Sequence, residues 1–265
     1  MDDRKLLLCL CVSPLDVDQG KELLRLWADL EPTFNHQITV AVVLRFDMDI
    51  KAIGGDVLSH LREKFKVIWF KSERKGTGWP AGCNALEIGA YEWFVEKNRS
   101  KSIDFEYMMI AESDTVPLRP GWANEIMNEA YDNKVVMLGA YFTKEEGCAH
   151  INGNCVLHKN AWKKIPGMWQ VPSRKGWDCH IGPKALVVGT PSRLIWQDYR
   201  LGTPENPWKG DDFIFHRKMY GGPKNPLYGQ PLQPCFFHGI KTMDGINAVR
   251  RRFLQKAIDI GSQLF

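Results

Sequence analysis

The spacing of apolar residues changes repeatedly along the first half of the chain. LLLCLCV (6–12) is an unbroken apolar run of the length of a strand buried on both faces. DQGKELLRLWADL (18–30) spaces its apolar residues for a helix, and Pro32 closes it. ITVAVVLRF (38–46) predicts a second strand, followed at once by Asp47 and Asp49. IKAIGGDVLSHLREKF (50–65) is helical towards its end, and KVIWF (66–70) is a third strand. The loop KSERKGTGWP (71–80) leads into a helix over AGCNALEIGAYEWFVEKN (81–98). EYMMIA (106–111) is a fourth strand, GWANEIMNEAYDN (121–133) a helix, and VVMLGAYF (135–142) a fifth strand. Strands alternating with helices predict an α/β fold with a mostly parallel central sheet flanked by helices. In such sheets ligands sit beyond the carboxyl ends of the strands. Asp47, the loop from Lys75 to Trp79, and Glu112 with Asp114 all follow strands, so they gather at one edge.

After about residue 145 the pattern changes. Gly, Pro and Trp become frequent, as in GMWQVPSRKGWD, LGTPENPWKGDD and YGGPKNPLYGQP. Loops of this kind are commonly functional. With no linker-like break and no internal repeat, 1–265 reads as a single domain whose loop-rich C-terminal part folds over the sheet edge.

Composition narrows the class. With 44% hydrophobic and 25% charged residues in 265, the chain can bury a substantial core. The net charge of +4 is too mild to demand nucleic acid and does not oppose an anionic ligand. The start MDDRKLLLCLCVSP lacks the order of a secretory signal, and no apolar run has the length of a membrane span. Seven cysteines without a CxxC pair indicate neither zinc nor a disulfide framework, so reduced thiols and a cytoplasmic setting are expected.

The candidate chemistry begins at ESD (112–114), where a core strand ends in acid. Glu112 and Asp114 alternate on an extended backbone, share a direction, and suit a hard divalent cation such as Mg²⁺ or Mn²⁺. Solvated acids in a strand-ending turn would give the same residues. In CFFHGIKT (235–242) another apolar run ends at His238, then Gly239, then Lys241. A histidine there can complete a metal shell, and the lysine can meet a phosphate. Together the two segments point to a metal-bound diphosphate.

In these segments and their order (RFDMD, GWPAGCN, ESD, INGNCVLHKNAW, GWDCHIG, HGIK) the chain resembles glycosyltransferases of the GT-A fold, with a Rossmann-like nucleotide-binding half. ESD takes the place of the family's DxD, with Glu112 for the first Asp. The resemblance implies Glu112, Asp114 and His238 as ligands of Mn²⁺ or Mg²⁺. It implies a nucleotide-sugar donor, UDP-linked in our reading. Residues 1–145 would bind the donor, and 146–265 would bind the acceptor and complete the metal shell. Asp47 would meet the base or ribose, although a turn Asp would look the same. Lys75 and Asn84 would approach the diphosphate or sugar, with a solvated loop charge the alternative for Lys75. Asn152 and Asn154 would bond hydroxyls, or else form a tight Asn-Gly turn. Asp178 would be the general base with Trp177 stacking beside it, unless Asp178 serves only as an N-cap. Asp211 and Asp212 are rivals for the base.

Two other classes fit less well. A nucleotidyltransferase would carry a Gly-rich, Arg-containing loop after the first strand, where this chain has SPLDVDQGKE. A non-catalytic carbohydrate- or nucleic-acid-binding module would not need two carboxylates with a late His and Lys. The acceptor is open among nucleic acid, protein and small molecule, and one use of this architecture adds sugars to modified bases in DNA. VRRRFLQK (249–256) and the SERK loop offer basic groups for phosphates.

Overall fold

The computed structural model describes residues 3–142, 149–172, 174–197, 234–240 and 242–255. β1 (Leu6–Val12) is central and buried throughout. Leu6, Leu8, Leu10 and Val12 enter the core on one face of the sheet, and Leu7, Cys9 and Cys11 the core on the other. Two apolar layers, one per face, are why the run does not alternate with polar residues.

β1 pairs in parallel with β2 (Asn35–Leu44) and β4 (Tyr107–Glu112), and β2 with β3 (Phe65–Lys71). Beyond β4 come β7 (His150–His158), β6 (Met137–Phe142) and the short β8 (Thr190–Pro191), giving the order β3-β2-β1-β4-β7-β6-β8. β7 is antiparallel to both neighbours, and β8 is parallel to β6. The sheet is therefore mostly parallel, as expected.

On one face pack α1 (Val17–Asp29), α2 (Gly55–Arg62), α4 (Trp122–Asn133) and the late helix α7 (Asp244–Arg250). On the other lie α3 (Ala81–Arg99), the single turn α5 (Ala161–Lys164) and α6 (Trp177–Val188). α3 is buried nearly all round in its first half, from Gly82 to Tyr91. No helix among the described residues is long and apolar enough to cross a membrane.

The described residues of the second half include regular strands where the composition implies loops. INGN is not a tight turn: it opens the nine-residue β7, of which only His158 is not fully buried. Asn and Gly usually mark turns, but here β6 pairs with Ile151 and Cys155 on either side, and the irregular stretch between is held by bonds of Asn152, Gly153 and Asn154 to Glu112 and Asp178. A second sheet joins β5 (Thr115–Pro117), β10 (Phe236–His238) and β9 (Ile195–Gln197) in the order β5-β10-β9. β10 runs antiparallel to β5, placing Phe236 opposite Pro117, Phe237 opposite Val116 and His238 opposite Thr115.

Aromatic packing anchors this return strand. The Phe236 ring stacks on Trp122 at 5.0 Å, and Trp122 meets Trp27 of α1 at 5.5 Å. Arg119 donates to the Pro234 carbonyl at 3.0 Å. Phe236→Ala should therefore lower unfolding stability by about 3–5 kcal/mol, read from the midpoint of chemical denaturation. A loss under about 1 kcal/mol would show that β10 is not anchored in this way.

Candidate active site

The ends of β1, β2 and β4 lie level, because Cys11 is in register with both Val43 and Glu112. The chain leaves β4 at Glu112 and enters β5 at Thr115, so the ESD turn sits on the sheet edge. The β10 pairing then delivers His238 beside Asp114. The Gly239 and Ile240 amides both donate to the Asp114 carbonyl at 3.1 Å, and Gly239 holds φ +105, a left-handed value that favours glycine.

His238 Nε2 lies 3.0 Å from Glu112 Oε2 and 3.0 Å from Asp114 Oδ1. These are ion-pair contacts without hydrogen-bond geometry, and Nδ1 is buried with no hydrogen-bond partner among the described residues. One ligand atom from each of the three side chains fits within 4.8 Å. Adjacent corners of an octahedron with bonds of about 2.1 Å are about 3.0 Å apart, so two carboxylates and an imidazole at this spacing fit a Mg²⁺- or Mn²⁺-type ion.

Residues further along the chain hold this group. Asn154, fully buried, binds Glu112 twice: Nδ2 donates to Oε2, and Oδ1 accepts the Glu112 backbone N–H, both at 2.8 Å. Asn152 Oδ1 accepts from the Asn154 backbone N–H at 2.8 Å and from its Nδ2 at 3.1 Å. Asn152 Nδ2 in turn donates to Asp178 Oδ2 at 3.2 Å. On the other side, Asp16 accepts from the Ser113 hydroxyl at 2.7 Å and fixes the middle of the turn.

Asp178 lies in the first turn of α6, whose N-cap is Gly176, so the N-cap alternative fails. It accepts the Gly153 N–H at 3.2 Å and the Cys179 N–H at 2.7 Å, and His150 Nε2 lies 3.5 Å away. Burial works to raise its pKa, but the His150 ring and these amides outweigh burial and hold the carboxyl below its ordinary value. It is therefore ionised at neutral pH. His150, Asp178 and Cys179 also cluster within 4.8 Å, but both Asp178 oxygens already accept N–H donors.

Two cavities meet here. One, of ≈ 230 Å³, is lined by Ser13, Asp16, Arg45, Gly78 and Leu86 among others. The second, of ≈ 680 Å³, is lined by Asn152, Gly153, Trp177, Asp178, Gln197 and His238 among others. Trp79, Cys83, Glu87 and Glu112 line both and form their common wall.

The remaining expected residues separate. Asp47 is tied to Arg45 by two hydrogen bonds of 2.7 and 2.8 Å, and it is Arg45 that lines the smaller cavity. Lys75 is exposed and lines neither cavity. Asn84 donates to the Lys175 carbonyl at 2.9 Å and accepts the Trp177 N–H at 2.8 Å, so it latches α3 to the start of α6. Trp177 is buried, with its indole N–H donated to Met168, so it is a wall of the cavity with little free face for stacking. Lys241, Asp211 and Asp212 lie outside the described residues. Two basic groups expected at phosphates are engaged elsewhere: Arg74 grips Glu92 with two bonds of 2.6 Å, and Arg250 pairs with Glu22 at 2.8 Å.

Sequence reasoning missed Glu87, Arg45 and Gln197, while Trp79 ends the loop expected at this edge. Gln197 sits opposite His238 in the β9–β10 register, with a buried side-chain oxygen lacking a partner among the described residues. Glu87 did leave a trace, as a lone acid within the apolar NALEIGAY. Burial drives its carboxyl well above the ordinary value, and the nearby Glu112 and Asp178 push the same way. Burial first, then Glu112 and Glu87, lift the Cys83 thiol to about 12, so it is no thiolate nucleophile at neutral pH.

No family model matches the chain, and no curated protein matches its sequence. Solved structures match its shape. The galactosyltransferase LgtC, in complex with donor and acceptor sugar analogs, aligns over 95% of this chain and 95% of its own at TM-score 0.54 and 10% identity. Mouse xyloside xylosyltransferase 1 aligns over 89% of this chain and 97% of its own at TM-score 0.51 and 11% identity. The chain spans only 33% of an S. aureus TarS structure and 56% of its 1–349 segment, at TM-scores of 0.44 and 0.45. The fold is GT-A.

The buried imidazole supplies a test that needs no metal. Burial lowers the His238 pKa, but Asp114 and Glu112 outweigh burial and raise it to about 9. The folded value exceeds the ordinary value of about 6.5. The stabilisation is thus complete below about pH 6.5 and is lost as pH climbs through about 9. In EDTA, the stability difference between wild type and His238→Gln should shrink across that window. A difference flat with pH would contradict the arrangement.

Proposed function

We propose that the chain is a metal-dependent glycosyltransferase that moves a sugar from a UDP-sugar to an acceptor hydroxyl. The convergence of Glu112, Asp114 and His238, from two segments more than a hundred residues apart, carries this reading. A buried imidazole with unpartnered nitrogens between two carboxylates is what a divalent cation would use, and the GT-A fold provides the setting. When bound, such an ion, Mn²⁺ or Mg²⁺, offsets the negative charge developing on the leaving diphosphate.

The nucleotide occupies the ≈ 230 Å³ cavity, where Arg45, oriented by Asp47, faces the base and ribose. Lys241 meets the diphosphate. Sugar and acceptor occupy the ≈ 680 Å³ cavity. Asp178 takes the proton of the acceptor hydroxyl while its oxygen bonds to the anomeric carbon. The bond from that carbon to the diphosphate breaks, and UDP leaves with the electron pair. Asn152 and Asn154 fix the distance between this base and Glu112. Arg174 and Lys175, exposed at the rim of the larger cavity, favour an acceptor that carries phosphate, such as a hydroxylated base in DNA. A cytoplasmic location is proposed from the six described cysteines, all of them free thiols.

Thermal melting with Mn²⁺ and UDP tests the reading. Melting should rise only when both are present, and no rise with either would favour a binding module. Mn²⁺ affinity should increase with pH up to about 9, because the ion must displace the His238 proton. Asn154→Ala should weaken Mn²⁺ about 10- to 100-fold, read by the EPR signal of free Mn²⁺. Asp178→Asn should cut transfer by about 100-fold or more while UDP and Mn²⁺ still bind.

A further inference from the structure

Glu87 has no role in the chemistry above, yet it occupies the middle of the site. It lies on the buried part of α3, one turn beyond Cys83, and both residues line both cavities. Glu87 is 7% exposed, with Glu112 beside its carboxyl on the metal side. On the other side is Gly153, where an added Cβ would stand 3.2 Å from Oε1 and 3.4 Å from Oε2. The carboxyl thus fills space that a side chain at 153 would take. Gly153 also donates its N–H to Asp178. Glu87 therefore stands between the group that would hold the leaving diphosphate and the group that would take the acceptor's proton. No Lys, Arg or His forms an ion pair with it among the described residues, and its charged neighbours are acids. A buried carboxyl without a cationic partner persists where a ligand completes its hydrogen bonding.

We infer that Glu87 is the specificity-determining residue for the donor sugar, hydrogen-bonding a ring hydroxyl between the diphosphate and the acceptor. This rests on the transferase reading, in which the donor sugar bridges the two cavities that Glu87 lines and brings a ring hydroxyl to that point. Glu87 forms no covalent bond. It recognises a polyhydroxylated sugar by the direction of one hydroxyl and discriminates against sugars that lack it there. A site built around such a bond leaves its own buried polar group unpaired when the hydroxyl is missing.

The test uses the full chain with Mn²⁺ and measures, by calorimetry, affinities for UDP, UDP-glucose, UDP-galactose, UDP-xylose and UDP-N-acetylglucosamine. Wild type should separate at least two of these sugars by about tenfold or more. Glu87→Leu should weaken the preferred UDP-sugar about 10- to 100-fold, leave UDP within about twofold, and level the panel. Glu87→Gln keeps the shape and a hydrogen-bonding oxygen; it should hold most of the preference and serves as the folding control by its melting curve. Equal weakening of UDP and UDP-sugars by Glu87→Leu would overturn the assignment in favour of a role at the metal. An unchanged panel would overturn it as well. Failure of wild type to bind UDP with Mn²⁺ would instead remove the transferase reading, and this inference with it.

Discussion

The pairing of β10 with β5 is the constraint on which the site depends. It is three residues long, yet it alone brings His238 to the turn that carries Glu112 and Asp114. A short antiparallel pair is marginal by itself. Here the Trp27–Trp122–Phe236 contacts bury it, and two amides following His238 bind the Asp114 carbonyl. The register is thus set by core packing on one face of the sheet and read out as ligand geometry at its edge. A slip of one residue would turn the histidine away from the carboxylates.

The electrostatics follow from that convergence. Glu87, Glu112 and Asp178 line the cavities, and burial works to raise the carboxyls of Glu87 and Asp178. The outcomes differ by partner. Asp178 has His150 and two amides and stays ionised, whereas Glu87 faces other acids and is driven up. Two carboxyls in one site with opposed tendencies can take different roles. His238, between two carboxylates, is raised in turn, so a cation held there would have to displace its proton.

Asparagine supplies the rigidity. Asn154 grips Glu112 at side chain and backbone, Asn152 links that grip to Asp178, and Asn84 ties α3 to the start of α6. Most of these amides' described bonds run within the protein, with partners that are themselves site residues. They act as positioning groups that hold the metal side and the acceptor side in register. A helix and a strand are stiffer supports for such a constellation than the loops at its rim.

The alternation of apolar runs and helical stripes is local, so the strands, the helices and the mostly parallel sheet were legible from the residues. The doubly buried β1 and the acid-ended β4 stood out for the same reason. Glu112, Asp114 and His238 were legible as a set because unlike residues at the ends of two apolar runs have few structural uses. What the sequence could not contain was distance. INGN looks like a turn until β6 pairs with Ile151 and Cys155 around it and Glu112 and Asp178 take up its polar groups. Asp178 looks like an N-cap until Gly176 takes that place. Asn84 lines the larger cavity, but that its amide also binds the backbone of residues 175 and 177 could not be read from the chain. Glu87 became visible only when α3 packed against β7, because its neighbours Glu112 and Gly153 lie 25 and 66 positions away in the chain. Local periodicity fixes which residues form an element; long-range pairing and packing, with their loop-closure entropy, decide which elements meet.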